Sequence, residues 1–158
     1  MTWERGRERV GELLAGGELE EVTASEALAA RLVAEAEKHL AAAEHVVSID
    51  EAGAYQLAYD GARKACAALL AQQGLRATTR GGHVAVQDAV QAQFGGTGGM
   101  AAFAAVPRMR RKRAASEYPN VGTPTTTTEE AREAVVAAHA IVAGAKGLLS
   151  SGNVDSFR

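Results

Sequence analysis

The sequence predicts an all-α fold, a helical bundle of four main helices plus shorter helices, and three features point to it. Aromatic residues make up only 4% of the 158 residues, while apolar residues make up 47% and are dominated by Ala, Leu and Val. That bias favours helices packed closely through small side chains. Apolar positions recur at spacings of three and four over long stretches, the period of a single helical face. Ser, Asp and Thr stand where those stretches begin and Gly where several of them end, as helix caps require. The length is that of one domain with a core of its own, so residues 1–158 are expected to form a single unit.

Each element has its own signal. Residues 3 to 14 place Trp3, Val10, Leu13 and Leu14 on one side and stop at Gly16-Gly17, a lead-in helix within residues 1–20. From Ser25, the positions Ala29, Leu32, Ala36, Leu40, Ala43 and Val47 form a sustained stripe. Asp50 is placed to cap a second long helix that runs to Gln73 and stops at Gly74. Its inner side reads Ala54, Leu57, Ala58, Gly61, Ala62, Ala65, Ala68 and Leu69, with Tyr55 and Tyr59 at the edge. Such small residues admit a close neighbour, at about 1 kcal/mol for Gly61 relative to Ala. Leu75 to Gly82 reads as a polar turn, and a shorter helix follows with Val86, Ala89, Val90 and Phe94 inward.

Gly95 to Gly99 is a glycine-rich linker, too short to divide domains. Helical pattern resumes from Met100 to Glu117, where Pro107 either kinks the helix or starts its second half. Thr125 to Thr128 followed by Glu129-Glu130 offers two capping boxes in different registers. Ala131, Val135, Ala138, Val142, Ala145 and Leu149 mark the last helix, and residues 150–158 are expected to be a flexible tail.

Composition also narrows the function classes. One cysteine, Cys66, has no partner for an internal disulfide, and on its Ala-rich face it reads as a small apolar residue rather than a nucleophile. No apolar leader segment precedes the charged opening, and no run approaches about 18 uninterrupted apolar residues. A cytoplasmic protein with no membrane partner is expected. His39, His45, His83 and His139 are far apart and lack Glu-x-x-His pairing, so no metal and no cofactor is expected. The linker glycines lack the Gly-Lys-Ser/Thr ending of a phosphate loop.

One stretch stands out. Arg108, Arg110, Arg111, Lys112 and Arg113 put five cations into six residues, and removing them from a net charge of −2 leaves −7 on the other 153 residues. Cations near a helix C-terminus complement the macrodipole, which is one reading of the block. At 100° per residue, however, Arg108, Arg111 and Lys112 fall on one side and Arg110 and Arg113 on another, with only Met109 apolar. Glu117 offsets only one of them. Charge spread round a helix in this way is better explained if phosphates or a partner's acids complete it.

The chain resembles the HEPN superfamily over about residues 10 to 150. The resemblance rests on the long helix ending in Lys38-His39-Leu40, the run from Ala54 to Lys64, the turns Gly74-Leu75-Arg76 and Arg80-Gly81-Gly82-His83, and Arg110 to Arg113 leading to Glu117-Tyr118-Pro119. It implies a helical bundle, usually a homodimer whose motifs share one cleft, and for many members a metal-independent ribonuclease or a toxin of a toxin–antitoxin pair. The family signature is Arg, four to six residues, His, often with Tyr two beyond. Here Arg111 takes the Arg place and Tyr118 the Tyr place, but Ser116 stands where His is expected. Proton transfer from an RNA 2′-hydroxyl needs a group titrating near neutrality, which Ser alone does not supply.

The expectation is a HEPN-like protein that binds RNA or nucleotide phosphate, toxin-like or stress- or defence-related, with weak or lost nuclease activity. Its phosphate-binding residues are Arg108, Arg110, Arg111, Lys112, Arg113, Ser116 and His83. An active metal-independent endoribonuclease would use Arg111 with Glu117 or Tyr118 as its catalytic residues. A module docking an acidic partner is the remaining alternative. The expected partners are RNA or a nucleotide, a second copy meeting the first through the Ala-rich helices, and a cognate nucleotidyltransferase-like antitoxin acting on Tyr118.

Overall fold

The computed structural model describes residues 4–96 and 98–157. Trp3 of the lead-in helix and Thr97 of the glycine-rich linker lie outside them. In chain order the elements are α1 (Arg7–Ala15), β1 (Leu19–Glu21), α2 (Glu26–Val46), α3 (Glu51–Gln73), β2 (Leu75–Ala77), α4 (Gly82–Phe94), a 3-10 helix (Gly98–Ala105), α5 (Val106–Glu117) and α6 (Thr128–Ser150). The protein is an all-α bundle with one small antiparallel ribbon, in which Leu19 pairs with Ala77 and Glu21 with Leu75.

Local chemistry sets the helix ends. Ser25 Oγ accepts from the Leu28 amide at 3.1 Å and Asp50 Oδ1 from the Gly53 amide at 2.8 Å, each satisfying an amide that has no partner within its helix. Of the two capping boxes, Thr127 with Glu130 is the one formed. Thr127 Oγ1 accepts from the Glu130 amide at 3.1 Å, and Glu130 accepts from the Thr127 amide at 2.9 Å. Gly74 ends α3 at φ 77 and returns its N–H to the Ala71 and Leu70 carbonyls.

Helix α3 lies at the centre, touching α2, α4, α5, α6 and β2. Ala54, Ala58, Ala62, Ala65, Ala68 and Leu69 are fully buried in it. Gly61 sits so close to α2 that a Cβ there would lie 3.1 Å from Leu40 Cδ2 and 3.3 Å from the Ala36 carbonyl oxygen. The Ala-rich faces expected to meet a second copy are thus consumed inside the chain, where Ala36, Ala43, Ala131 and Ala138 are also fully buried.

Several local expectations change. Tyr55 and Tyr59 are buried rather than at an edge, because α4 and α5 cover the side of α3 that faces away from α2 and α6. Leu75–Ala77 is a strand rather than a polar turn; three residues are too few to show alternation, and Leu75 and Leu19 are buried together in the core. Residues 98–105 form a 3-10 helix, and Pro107 falls in the first turn of α5, where its missing N–H removes no helical bond. Residues 151–157 return to the bundle: Val154 is buried and the Phe157 amide donates to the Gln73 carbonyl at 2.8 Å.

By length and composition α6 is long and apolar enough to cross a membrane, with a mean hydropathy of 1.3. Its apolar stripe is occupied by α3, α2 and the 3-10 helix, and Arg132, Glu133, His139 and Lys146 are exposed on it. Those charges interrupt the apolar run that a residue-by-residue reading looks for.

The ribbon meets α4 at a tight junction. Thr78 Oγ1 donates to the Gly17 carbonyl at 2.6 Å and accepts from the Gly81 amide at 3.3 Å, while the Thr78 amide donates to the Glu18 carbonyl at 3.0 Å. A Cβ at Gly81 would overlap that Glu18 oxygen and lie 2.7 Å from Ala85 Cβ. Gly81→Ala therefore destabilises the fold by about 1–3 kcal/mol through overpacking, read as a lowered urea midpoint. Gly17→Ala, which meets no atom within 4 Å but holds φ 69, is penalised only by its backbone conformation.

Candidate functional site

A chain of hydrogen bonds linking three helices centres on the buried Tyr59. Its residue is 0% exposed, so its hydroxyl must be satisfied within the protein. Gln87 Nε2 donates to it at 3.1 Å, and it lies 3.0 Å from His83 Nδ1. Gln87 Oε1 in turn accepts from Arg110 Nε at 3.1 Å. These bonds have one consistent direction. A guanidinium only donates, so Gln87 must face Arg110 with its carbonyl and Tyr59 with its amide. Tyr59 then accepts from Gln87, and because its buried hydroxyl proton meets no other acceptor among the described residues, we assign that proton to His83 Nδ1, which puts the proton of the neutral imidazole on Nε2.

Three helices place these groups. His83 and Gln87 are one turn apart on α4, Tyr59 and Arg63 one turn apart on α3, and Arg110 and Arg113 follow each other on α5. The rotation of α5 is fixed by Val106 and Met109, which are 2% and 1% exposed. At helical spacing the stripe begun by Val106 and Met109 continues through Arg110 and Arg113, so these two cations point inward.

Arg113 lies over the Tyr59 ring, its Cζ 5.9 Å from the centroid, a cation–π distance. Its Nη1 is 2.7 Å from Glu117 Oε2; the alignment makes this an ion pair rather than a hydrogen bond, and the buried Arg113 Nε has no partner among the described residues. Arg63 Nε donates to Asp60 Oδ1 at a long 3.4 Å. Three guanidiniums against the carboxylates of Asp60 and Glu117 leave one net positive charge beside a half-buried imidazole. Burial, then Arg63 and Arg113, push the His83 pKa below its ordinary value, with Asp60 opposing. Burial raises the Tyr59 pKa, and the same three arginines oppose it.

The other predicted residues lie elsewhere. Arg108 and Lys112 line a hollow of about 200 Å³ beside Tyr55, Glu130 and Glu133, and Lys112 Nζ is 3.3 Å from Glu130 Oε2. Arg111 is exposed and forms no ion pair among the described residues. Ser116 Oγ shares a 3.1 Å hydrogen bond with Thr126 Oγ1. Tyr118 is 79% exposed just past the end of α5. The structure therefore brings together Arg110, Arg113, Glu117 and His83, and keeps Arg108, Arg111, Lys112, Ser116 and Tyr118 apart from them. It adds Tyr59, Asp60, Arg63 and Gln87. In the sequence Tyr59 and Arg63 are one helical turn apart, as are His83 and Gln87, but neither spacing by itself marks a site.

Complete burial pushes the Cys66 thiol up to about 12, which keeps it a protonated core residue. Among the described residues no three His, Cys, Asp or Glu side chains are grouped to hold a metal ion. Compared with protein-family models, with curated proteins and with solved structures, the chain matches none.

The lowered His83 pKa carries a sign. The folded state binds fewer protons at this ring than the unfolded chain, so the contribution to stability is complete above about pH 6.5 and is lost as pH falls below it. His83 is expected to titrate below its ordinary value by NMR. Arg113→Gln moves that midpoint upward but not fully to the ordinary value, because burial remains the larger cause.

Proposed function

We propose that the protein is a HEPN-like RNA- or nucleotide-phosphate-binding protein, toxin-like or stress- or defence-related, whose nuclease activity is weak or lost. The observation that carries this reading is the convergence of Arg63, Arg110 and Arg113 on the Tyr59–His83 pair. Phosphate oxygens accept paired N–H bonds from guanidinium groups, and a half-buried setting strengthens them. Arg111, exposed on α5 and without an ion pair among the described residues, extends the contact along a strand.

Weak or lost cleavage is supported by the hydrogen bonds. Attack by an RNA 2′-hydroxyl needs a proton acceptor beside the phosphate. Ser116 is bonded to Thr126, and the His83 lone pair at Nδ1 is taken by Tyr59. Neither offers a free basic atom. Tyr118 is open to modification by a nucleotidyltransferase-like antitoxin, and a homodimer would use surfaces other than the buried Ala-rich faces.

The test is anisotropy of a labelled single-stranded RNA in EDTA at several salt concentrations. Two or three phosphate contacts predict a slope of log K against log salt of about −1.4 to −2.1. Arg110→Gln with Arg113→Gln, checked for folding by circular dichroism, should weaken binding about tenfold or more and flatten the slope. Absence of salt-dependent binding would falsify the proposal. Cleavage in EDTA that disappears in Arg111→Ala would instead establish an active endoribonuclease.

A further inference from the structure

A groove of about 680 Å³ opens on the far side of His83. Leu28 and Leu32 of α2, Ala67 and Leu70 of α3, Leu75 of β2 and Val86 of α4 supply its walls. Its size falls within the range of small-molecule sites, which are apolar clefts with a few placed polar groups. The polar groups here are unequal. Arg76 is answered by Glu20 at 2.7 Å. Arg63 engages Asp60 only through Nε, and its two terminal nitrogens have no hydrogen-bond partner among the described residues. His83 lines the same groove and has only Nε2–H left to offer, because Nδ1 is held by Tyr59. No carboxylate lines the groove.

We propose that this groove binds a long-chain carboxylate, its alkyl chain lying along Leu28, Leu32 and Ala67 and its carboxylate held by the Arg63 guanidinium and His83 Nε2–H. The complementarity is specific in two respects. A guanidinium edge and one N–H present three donors to a head with two oxygens, and the apolar wall continues from that point without a second cation left unanswered. A second copy of the chain is a poorer fit, because a stable dimer interface needs a broad apolar surface. Here the apolar surface is confined to the concavity, and Leu28, at 46% exposure, is the one large apolar wall residue that is exposed. The chain Arg110–Gln87–Tyr59 is what keeps His83 a donor toward the groove.

The groove shares Arg63 and His83 with the proposed phosphate site but approaches them from its apolar side, and calorimetry on the full chain with monomeric dodecanoate tests the proposal. The expected result is saturable 1:1 binding, at least tenfold weaker both in Arg63→Gln and in Ala67→Leu, which narrows the open groove. Dodecanol and butyrate, each lacking one half of the ligand, should bind at least tenfold more weakly than dodecanoate. Ala67→Leu should leave RNA affinity unchanged, which separates the two sites. No saturable binding, equal affinity for dodecanol, or an unaltered affinity in Arg63→Gln overturns the proposal. So does retention on anionic phospholipid vesicles without binding of monomeric dodecanoate.

Discussion

Helix α3 is enclosed by neighbours along most of its length, and the other elements are arranged to make that possible. A helix packed against α2, α6, α4 and α5 at once needs small residues where backbones approach and satisfied partners wherever it buries a polar atom. Ala54, Ala58, Gly61, Ala62 and Ala65 meet the first demand. Tyr59 creates the second. Its hydroxyl, sunk between α3 and α4, is answered by Gln87 and His83, and Gln87 is oriented by Arg110 of a third helix. The geometry of the candidate site thus follows from a packing constraint: a buried phenol sits against an imidazole and, through Gln87, an arginine is drawn inward.

The basic block is divided by the same packing. Val106 and Met109 anchor α5, and the cations that follow are sent in three directions. Arg110 and Arg113 go toward Tyr59, Arg108 and Lys112 toward the acids of α6, and Arg111 outward. Repulsion between neighbouring cations is relieved because Glu117 and Glu130 each take one of them. What remains is one local excess of positive charge in a half-buried place, where it acts on an anion more strongly than on open surface.

Much of the fold is legible in the sequence because its helices are long and capped. Ser25, Asp50 and Gly74 bound α2 and α3 within a residue, since capping is local chemistry. The ribbon is not legible, because three-residue strands have no readable period and the pairing of Leu19 with Ala77 spans the whole of α2 and α3. The site is legible only in part. The charge block identifies α5, but which of its arginines point inward depends on the burial of Val106 and Met109, a tertiary fact. Arg63, Tyr59 and Gln87 carry no signature of their own; they become a site through the convergence of three helices. The resemblance to the HEPN motif draws attention to Arg111, Ser116 and Tyr118, of which Arg111 and Tyr118 are exposed and Ser116 is bonded to Thr126, apart from that convergence.

The most direct measurement is NMR of the arginine side-chain Nε–H groups while a short single-stranded RNA is added. Shifts should appear at Arg110 and Arg113, together with the His83 ring, while Arg108 stays unmoved beside the α6 acids. Shifts confined to Arg108, or none at any arginine, would contradict the assignment of the anion site to the Tyr59 cluster.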